Sequence, residues 1–560
     1  MGIDIEFRPF RYSQVGIFLS VVVLGGVLAL LSGCTDQDIR SAPMTQSPMN
    51  QELPSAQLNS EGGVVTFLWS DITTLDPHLV QDVRSAQIVL EIFNGLVAYG
   101  SDMSIRPELA ASWEIGGGGT EYIFSLKDGV TFHDGRVLTA HDIKMSIERA
   151  TDPVLQSPTA LTYLDDIVGV REKIRGDQLH VMGVEVVDER RIKFTLDQPK
   201  PYFLGKLTNP VAAVVDTANS PLEDLSVPLE SLNGTGPFKL AEWVPEQYIR
   251  LIRNQYYIND GPFIDEAVYV FDGDGMAMYE NNEIDIMELS AGRIKMMGEN
   301  ENALQGEMVV GEPAFQVAYI GFSTGQPPFN SLHLRRALFH AVDTEHIATR
   351  IKQRTVVAAH RILPPGFPAH NDDLSGLGYD LELAKEFLEK SGYLGSSKDV
   401  PHVVMTLPGT DGKLLESFRF IIDTWEQELG VKVKVQQTEW QVYLDDLNNR
   451  SLQIFGGISW NADYVDPHNF LDTLFHSDSP MNHSAYQNTD LDAILEKARV
   501  EQDPELRLDL YQQAEVIILE ESPIIPLWFP LEGGFLVKPR IQGYFVPRIP
   551  MQILRYVWVE

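Results

Sequence analysis

Strand-like and helix-like stretches that alternate along a chain of 560 residues predict an α/β protein with more than one sheet. Apolar residues recur at every second position in some stretches and at helical spacing in others, with no internal repeat of fixed period. The chain is several times the length of an ordinary domain, so two or three compact units with their own cores are expected.

Taken in order, "GVVTFLW" (63 to 69) and "EYIFSLKDGVTFHDG" (121 to 135) alternate apolar and polar residues around turn signals and read as strands. "TAHDIKMSIERA" opens with Thr139, a residue suited to cap a helix, and continues at helical spacing. In "SLHLRRALFHAVDTEHIATRI", Leu334, Leu338, Ala341 and Ile347 recur at near-helical intervals. "DLELAKEFLEKSGY" reads as a helix stopped at Gly392, and "LLESFRFIIDTWEQELG" as a helix that passes through Gly430 into the strand "VKVKVQQ".

Composition describes a folded chain: apolar residues make up 44%, aromatics 9% and charged residues 22%. The 79 acidic residues against 43 basic ones give a net charge of -36, which argues against a nucleic-acid partner because phosphate contacts need clustered Lys and Arg. The N-terminus carries Arg8 and Arg11 before an uncharged run from Val15 to Gly33, which ends at Cys34, the only cysteine. A positive start, an apolar run and small residues describe an export signal, with a transmembrane anchor as the alternative reading. "LSGC" is similar to the lipobox of bacterial lipoproteins, which implies acylation at Cys34 and a lipid anchor at the cell envelope, facing the periplasm or the extracytoplasmic side. Residues 34–61 are polar with scattered Pro and Ser, as a tether would be, and a chain whose sole thiol is at its anchor has no internal disulfides.

The segment "SWNADYVDPHNFL" places Asp463 between Trp460 and Tyr464. A carboxylate flanked by aromatics can exclude water and make a short charge-assisted bond to a cation, worth about 1.5–3 kcal/mol. The competing reading is a turn or helix cap, a role that suits Asp466 before Pro467 better.

A series of segments resembles the family 5 extracellular solute-binding proteins, the oligopeptide and dipeptide receptors of ABC importers. They include "TTLDPHLV" (73 to 80), "RPELAASWEI" (106 to 115), "YIFSLKDGVTFHDGRVLTAHDIKMSIERA" (122 to 150), "GTGPFKLAEWVP" (234 to 245), "PPFNSLHLRRALFHAVD" (327 to 343), "WNADYVDPHNFLDTLF" (460 to 475) and "ESPIIPLWF" (521 to 529). The resemblance implies a two-lobed clamshell with an extra subdomain: lobe I from 62–93, 216–288 and 530–560, the subdomain from 94–215, and lobe II from 289–529. It implies capture of a peptide between the lobes, closure about hinges and delivery to a permease with its ATPase subunits. A monomer without catalytic residues, cofactor or metal is expected.

Within the resemblance, Asp463 matches the aspartate that holds a peptide's α-ammonium. "IFGGIS", with Gly456 and Gly457, is expected as a strand along which a peptide adds, and Ser459 continues it. Val83 falls where the opposite lobe contributes backbone contacts, and Trp460 and Trp440 match aromatics lining side-chain pockets, with plain core packing as the alternative. Relatives often hold the peptide carboxylate with Arg or Lys at the positions of Gly457 and Gln326, and a pocket tyrosine is replaced by Thr159. Arg450 or Lys413 could substitute. These departures leave open longer peptides held loosely, cationic peptides, or a non-peptide ligand such as a metal chelate, haem, a sugar or an opine-like molecule. His468, His476 and His483 fit no recognised metal-site spacing, and no G-x-S-x-G elbow, H-E-x-x-H or phosphate loop is expected to supply catalysis.

Overall fold

The strand Val64–Leu68 lies at the centre of the first lobe, parallel on one side to Glu266–Val270 and on the other to Ile286–Leu289. These strands belong to a seven-stranded sheet ordered Met308–Val310, Gly534–Val537, Ile286–Leu289, Val64–Leu68, Glu266–Val270, Tyr248–Arg253, Phe238–Val244. The computed structural model describes residues 62–218, 232–290, 293–294, 303–372, 378–393, 402–409 and 412–560. The export signal, the tether and Cys34 lie outside the described residues. Among the described residues, no helix is long and apolar enough to cross a membrane.

A second sheet of six strands runs Val356–Ala358, Ile524–Pro530, Gln316–Phe322, Ile454–Asn461, His402–Pro408, Lys432–Thr438. Its two faces are covered by separate apolar clusters, one around Phe470, Leu491 and Tyr511, the other around Leu338, Phe418 and Trp425. A smaller antiparallel sheet, Ala110–Gly116, Glu121–Leu126, Arg191–Thr195, Val184–Asp188, builds a subdomain with its own core around Phe124, Phe194 and Phe203.

Local chemistry explains the boundaries. Helix Ala140–Ala150 starts where the Asp142 carboxylate reaches back to accept from the backbone N–H and hydroxyl of Thr139, both at 2.8 Å. The helix beginning at Leu332 ends at His340, and Asp343 caps a fresh turn at Thr344–His346, so the spacing that runs to Ile347 is split between two elements. The strand expected over 121 to 135 stops at Leu126. Beyond it the chain turns, retaining only a bridge between Thr131 and Val137.

Two antiparallel segments join the large sheets. Gly311 N–H donates to Gly533 O (3.2 Å), Glu532 N–H to Glu312 O (3.0 Å) and Ala314 N–H to Pro530 O (2.7 Å). On one side the ribbon is also held by Leu531 N–H, which donates to Thr355 O (3.4 Å). The C-terminal residues return to the first lobe, where buried Glu91 accepts from Ile553 N–H (2.8 Å) and Leu554 N–H (3.1 Å).

The subdomain also touches the second lobe directly. Tyr464 is buried in the subdomain core, Val465 N–H donates to Tyr99 Oη (3.0 Å), and Tyr202 stacks on His468 with ring centroids 4.1 Å apart.

Candidate functional site

The strand Ile454–Asn461 changes neighbours midway. It pairs with Gln316–Phe322 along nearly its whole length, but with His402–Pro408 only at Ile454 and Phe455. The register shifts opposite Tyr319 and Gly321, where Gly456 and Gly457 insert. Gly457 has φ 73°, and a Cβ there would lie 2.9 Å from Pro408 Cδ, so this bulge calls for glycine. Residues 457–461 therefore keep one paired side and one unpaired side, with Gly457 and Ser459 exposed.

Asp463 follows this edge. Its Oδ2 accepts from Asn469 Nδ2 (3.0 Å) and its Oδ1 from Tyr163 Oη (3.3 Å), so residues of the second lobe and of the subdomain converge on one carboxylate. Asn469 also accepts from Asp463 N–H and from Trp460 Nε1, each at 3.1 Å, fixing strand end, aromatic and carboxylate as one unit. Solvent still reaches Asp463, yet protein surrounds its carboxyl, and that desolvation raises it above the usual carboxylate range against the pull of Asn469, Tyr163 and Lys206. An acid held in this state gains from a cation that restores its charged form.

Nearby, Trp440 is half exposed and stacks on Tyr443, centroids 5.9 Å apart, while Tyr443 Oη donates to Gly456 O (3.0 Å). Val83 lies elsewhere. It is 65% exposed at the start of helix Val83–Ile92 and lines a first-lobe cavity of about 270 Å³ with Trp69, Arg84 and Glu532. Thus Gly457, Ser459, Trp460, Trp440 and Asp463 gather on the second lobe, with Val83 on a wall of the first.

The chain supplies a tyrosine one turn beyond the position where the resemblance notes its loss. Tyr163 N–H donates to Thr159 O in the helix that carries both, and Tyr163 is the residue that reaches Asp463. Sequence reasoning missed Tyr163 and Asn469; the four-residue step along a helix was the signal for the first. Gln326 is exposed in a turn, and Arg450 donates to Ser479 O (3.0 Å) on the surface. Asp466 caps a turn by accepting from His468 N–H (2.9 Å) and grips Arg507 at 2.7 and 2.8 Å.

The three histidines diverge. His468 pairs with Tyr464 Oη (2.7 Å), His476 accepts from Asp478 N–H (3.2 Å), and His483 meets Asn448 Oδ1 (3.2 Å). Among the described residues no group of three metal-ligating side chains forms. The pattern Gly-x-Ser-x-Gly does occur, at 321 to 325, but no described histidine or carboxylate is hydrogen-bonded to the Ser323 hydroxyl, and its backbone N–H is committed to Gln453 O (2.9 Å). In "GTGPF" a Cβ on Gly234 would fall 2.1 Å from Ile92 O, so that glycine serves close packing.

The family model described as bacterial extracellular solute-binding proteins, family 5 middle, matches residues 104–482. The chain is 32% identical over 498 residues to the probable deoxycholate-binding periplasmic protein YgiS of Escherichia coli, covering 85% of this chain and 89% of that one. It is 27% identical to the oligopeptide-binding protein OppA of Bacillus subtilis, over 85% and 88% of the two chains. Among solved structures, the unliganded open form of the murein tripeptide-binding protein MppA superposes with a TM-score of 0.79 at 24% identity, covering 90% of this chain and 99% of that one. DppA from Helicobacter pylori, in complex with the peptide STSA, superposes with a TM-score of 0.66 at 25% identity, over 90% and 99%. The chain belongs to the family 5 bacterial extracellular solute-binding proteins, which bind ligands and do not catalyse reactions.

Proposed function

We propose that this chain is the substrate-binding subunit of an ABC importer, capturing peptides between its lobes and delivering them to a permease and its ATPase subunits. The observation that carries this reading is the half-paired strand edge at 457–461 running into Asp463. An extended peptide has the shape of a missing strand: its main chain pairs with that edge without regard to sequence, and its α-ammonium meets the carboxylate. Ser459 and Gly457 supply the edge, and Trp460 and Trp440 flank it with aromatic surface. Several relatives bind peptides by name, OppA and the peptide-bound DppA among them, and this supports the peptide.

We further infer a lipid anchor at Cys34, a tether over residues 34–61 and a monomer that works at the envelope. The hinge is assigned to the ribbon around Gly311–Ala314 and Pro530–Gly533, with the subdomain formed by residues 94–215.

A second reading keeps the receptor role but replaces the peptide by an apolar molecule. It is favoured by the largely apolar cavity beside Val83, by the neutral residues Gly457 and Gln326, and by the deoxycholate named for one relative. A native mass spectrum of protein taken from its host without refolding separates the two. A ladder of co-purified peptides supports the first reading; a single non-peptide mass overturns it in favour of the second.

A further inference from the structure

Beside the hinge ribbon, the cavity of about 270 Å³ is walled by Trp69, Phe535, Tyr544, Val546 and Ile553. Three charged side chains line it: Arg84, Glu288 and Glu532. Arg84 is already committed, donating to Glu288 while its guanidinium lies 4.7 Å over the ring of Trp69. Glu532 is not. Its backbone N–H bonds to Glu312 O, but no described residue donates a hydrogen bond to its carboxylate. Burial lifts this carboxyl to about 7, opposed by the charges of Arg548 and Arg84 and reinforced by Glu288.

This part-buried carboxylate, with no protein donor of its own, keeps its acceptor capacity for a ligand that enters beside the aromatic walls. The rings of Phe535 and Tyr544 attract cations, as that of Trp69 already does with Arg84, and a carboxylate makes its strongest bonds to charged donors. An anion entering the same space would meet Glu532 and Glu288, while the two arginines near them are already in use, Arg84 on Glu288 and Arg548 on Pro365 O. We propose that this cavity is a side-chain subsite for a cationic group of the ligand, an ammonium or a guanidinium, with Glu532 as its acceptor. The inference rests on the peptide reading and adds a preference for a Lys or Arg side chain at one position of the bound peptide.

Binding of the cation favours the ionised form of Glu532, so a proton leaves the protein when such a ligand binds near neutral pH. Arg84, Glu288, Arg548, Glu312 and Tyr544 are the other ionisable groups around this carboxyl.

The test is calorimetry on the purified protein and on Glu532→Gln, with alanine tetra- and pentapeptides and the same peptides carrying one lysine at each position in turn. In the unaltered protein at pH 8, one lysine position is expected to bind roughly tenfold more tightly than alanine. That ratio shrinks at pH 6, and buffers of different ionisation heat report proton release. In Glu532→Gln the ratio falls towards one and the proton release disappears; its binding of alanine peptides shows that the variant is folded. If alanine peptides bind but no lysine position stands out, or if Glu532→Gln keeps the preference, the subsite is overturned while the peptide reading stands. If neither series binds, the peptide reading falls and the subsite with it.

Discussion

The two regions proposed to meet the ligand are built from different materials. The second lobe offers backbone and fixed polar groups: the open edge at 457–461, then Asp463 held between Asn469 and Tyr163. The first lobe offers a cavity of aromatic and aliphatic side chains with a carboxylate to which no described residue donates. On the proposed reading, the first region recognises what every peptide shares, its main chain and amino end, and the second recognises what varies between peptides. A receptor that divides recognition in this way can be broad in one respect and selective in another.

The sharpest way to break this comparison is at Asp463. Asp463→Asn is expected to weaken binding of unblocked peptides by about 2–5 kcal/mol, measured by titration calorimetry, because it removes one partner of a shielded charge pair. N-acetylated peptides should lose a similar amount in the unaltered protein. Equal binding of free and acetylated peptides would remove the amino end from the second lobe's list.

A smaller effect compares the lobes as folded units. Glu91 in the first and Glu515 in the second each accept two backbone N–H bonds, and burial raises both carboxyls to about 7 despite those bonds. Because the folded value exceeds the unfolded one, the protonated form stabilises the fold. That contribution is complete below about 4.5 and is lost as pH rises through about 7. Urea midpoints should therefore fall between pH 5 and pH 8, and Glu515→Gln should remove about 1–3 kcal/mol of that fall. A pH slope unchanged in Glu515→Gln would place the titration elsewhere.

The smallest change expected is for Tyr163→Phe, which deletes the subdomain's hydrogen bond to Asp463 and leaves the ring in place. Peptide affinity should shift by about 0.5–1.5 kcal/mol. Unfolding measured alongside tells whether the bond serves the ligand site or only the contact between subdomain and second lobe.

Much of the scaffold was legible because hydrophobic period is a local property. Leu381–Lys390 and Glu416–Glu428 form where helical spacing predicts them, and Val64–Leu68 and Lys432–Thr438 where alternation does. Asp463 stood out for a different reason, as a charge set among aromatics in a segment that resembles a known family, and its proposed role awaits the binding test above. The cavity beside Val83 was not, since it draws on Trp69, Val83, Glu288, Glu532 and Tyr544, segments far apart in the chain that only the sheet order brings together. Nor could sequence show that Ile454–Asn461 leaves one neighbour after Phe455, because pairing register depends on the partner strand. The Gly-x-Ser-x-Gly at 321 to 325 makes the converse point: a short pattern can match where the surroundings give it no chemistry.

The bulge at Gly456 and Gly457 has a further consequence for the protein's survival in a crowded envelope. A bare strand edge on an outer surface is a template on which foreign chains stack and aggregate. Here the vacancy in the ladder begins only after Phe455 and closes within a few residues at Asp463, where Tyr163 of the subdomain stands across its end. A folded protein cannot insert its own sheet into so short a gap, whereas a single extended chain can. On the proposed reading, the same backbone that would be a hazard in the open becomes a filter for thin, unfolded guests.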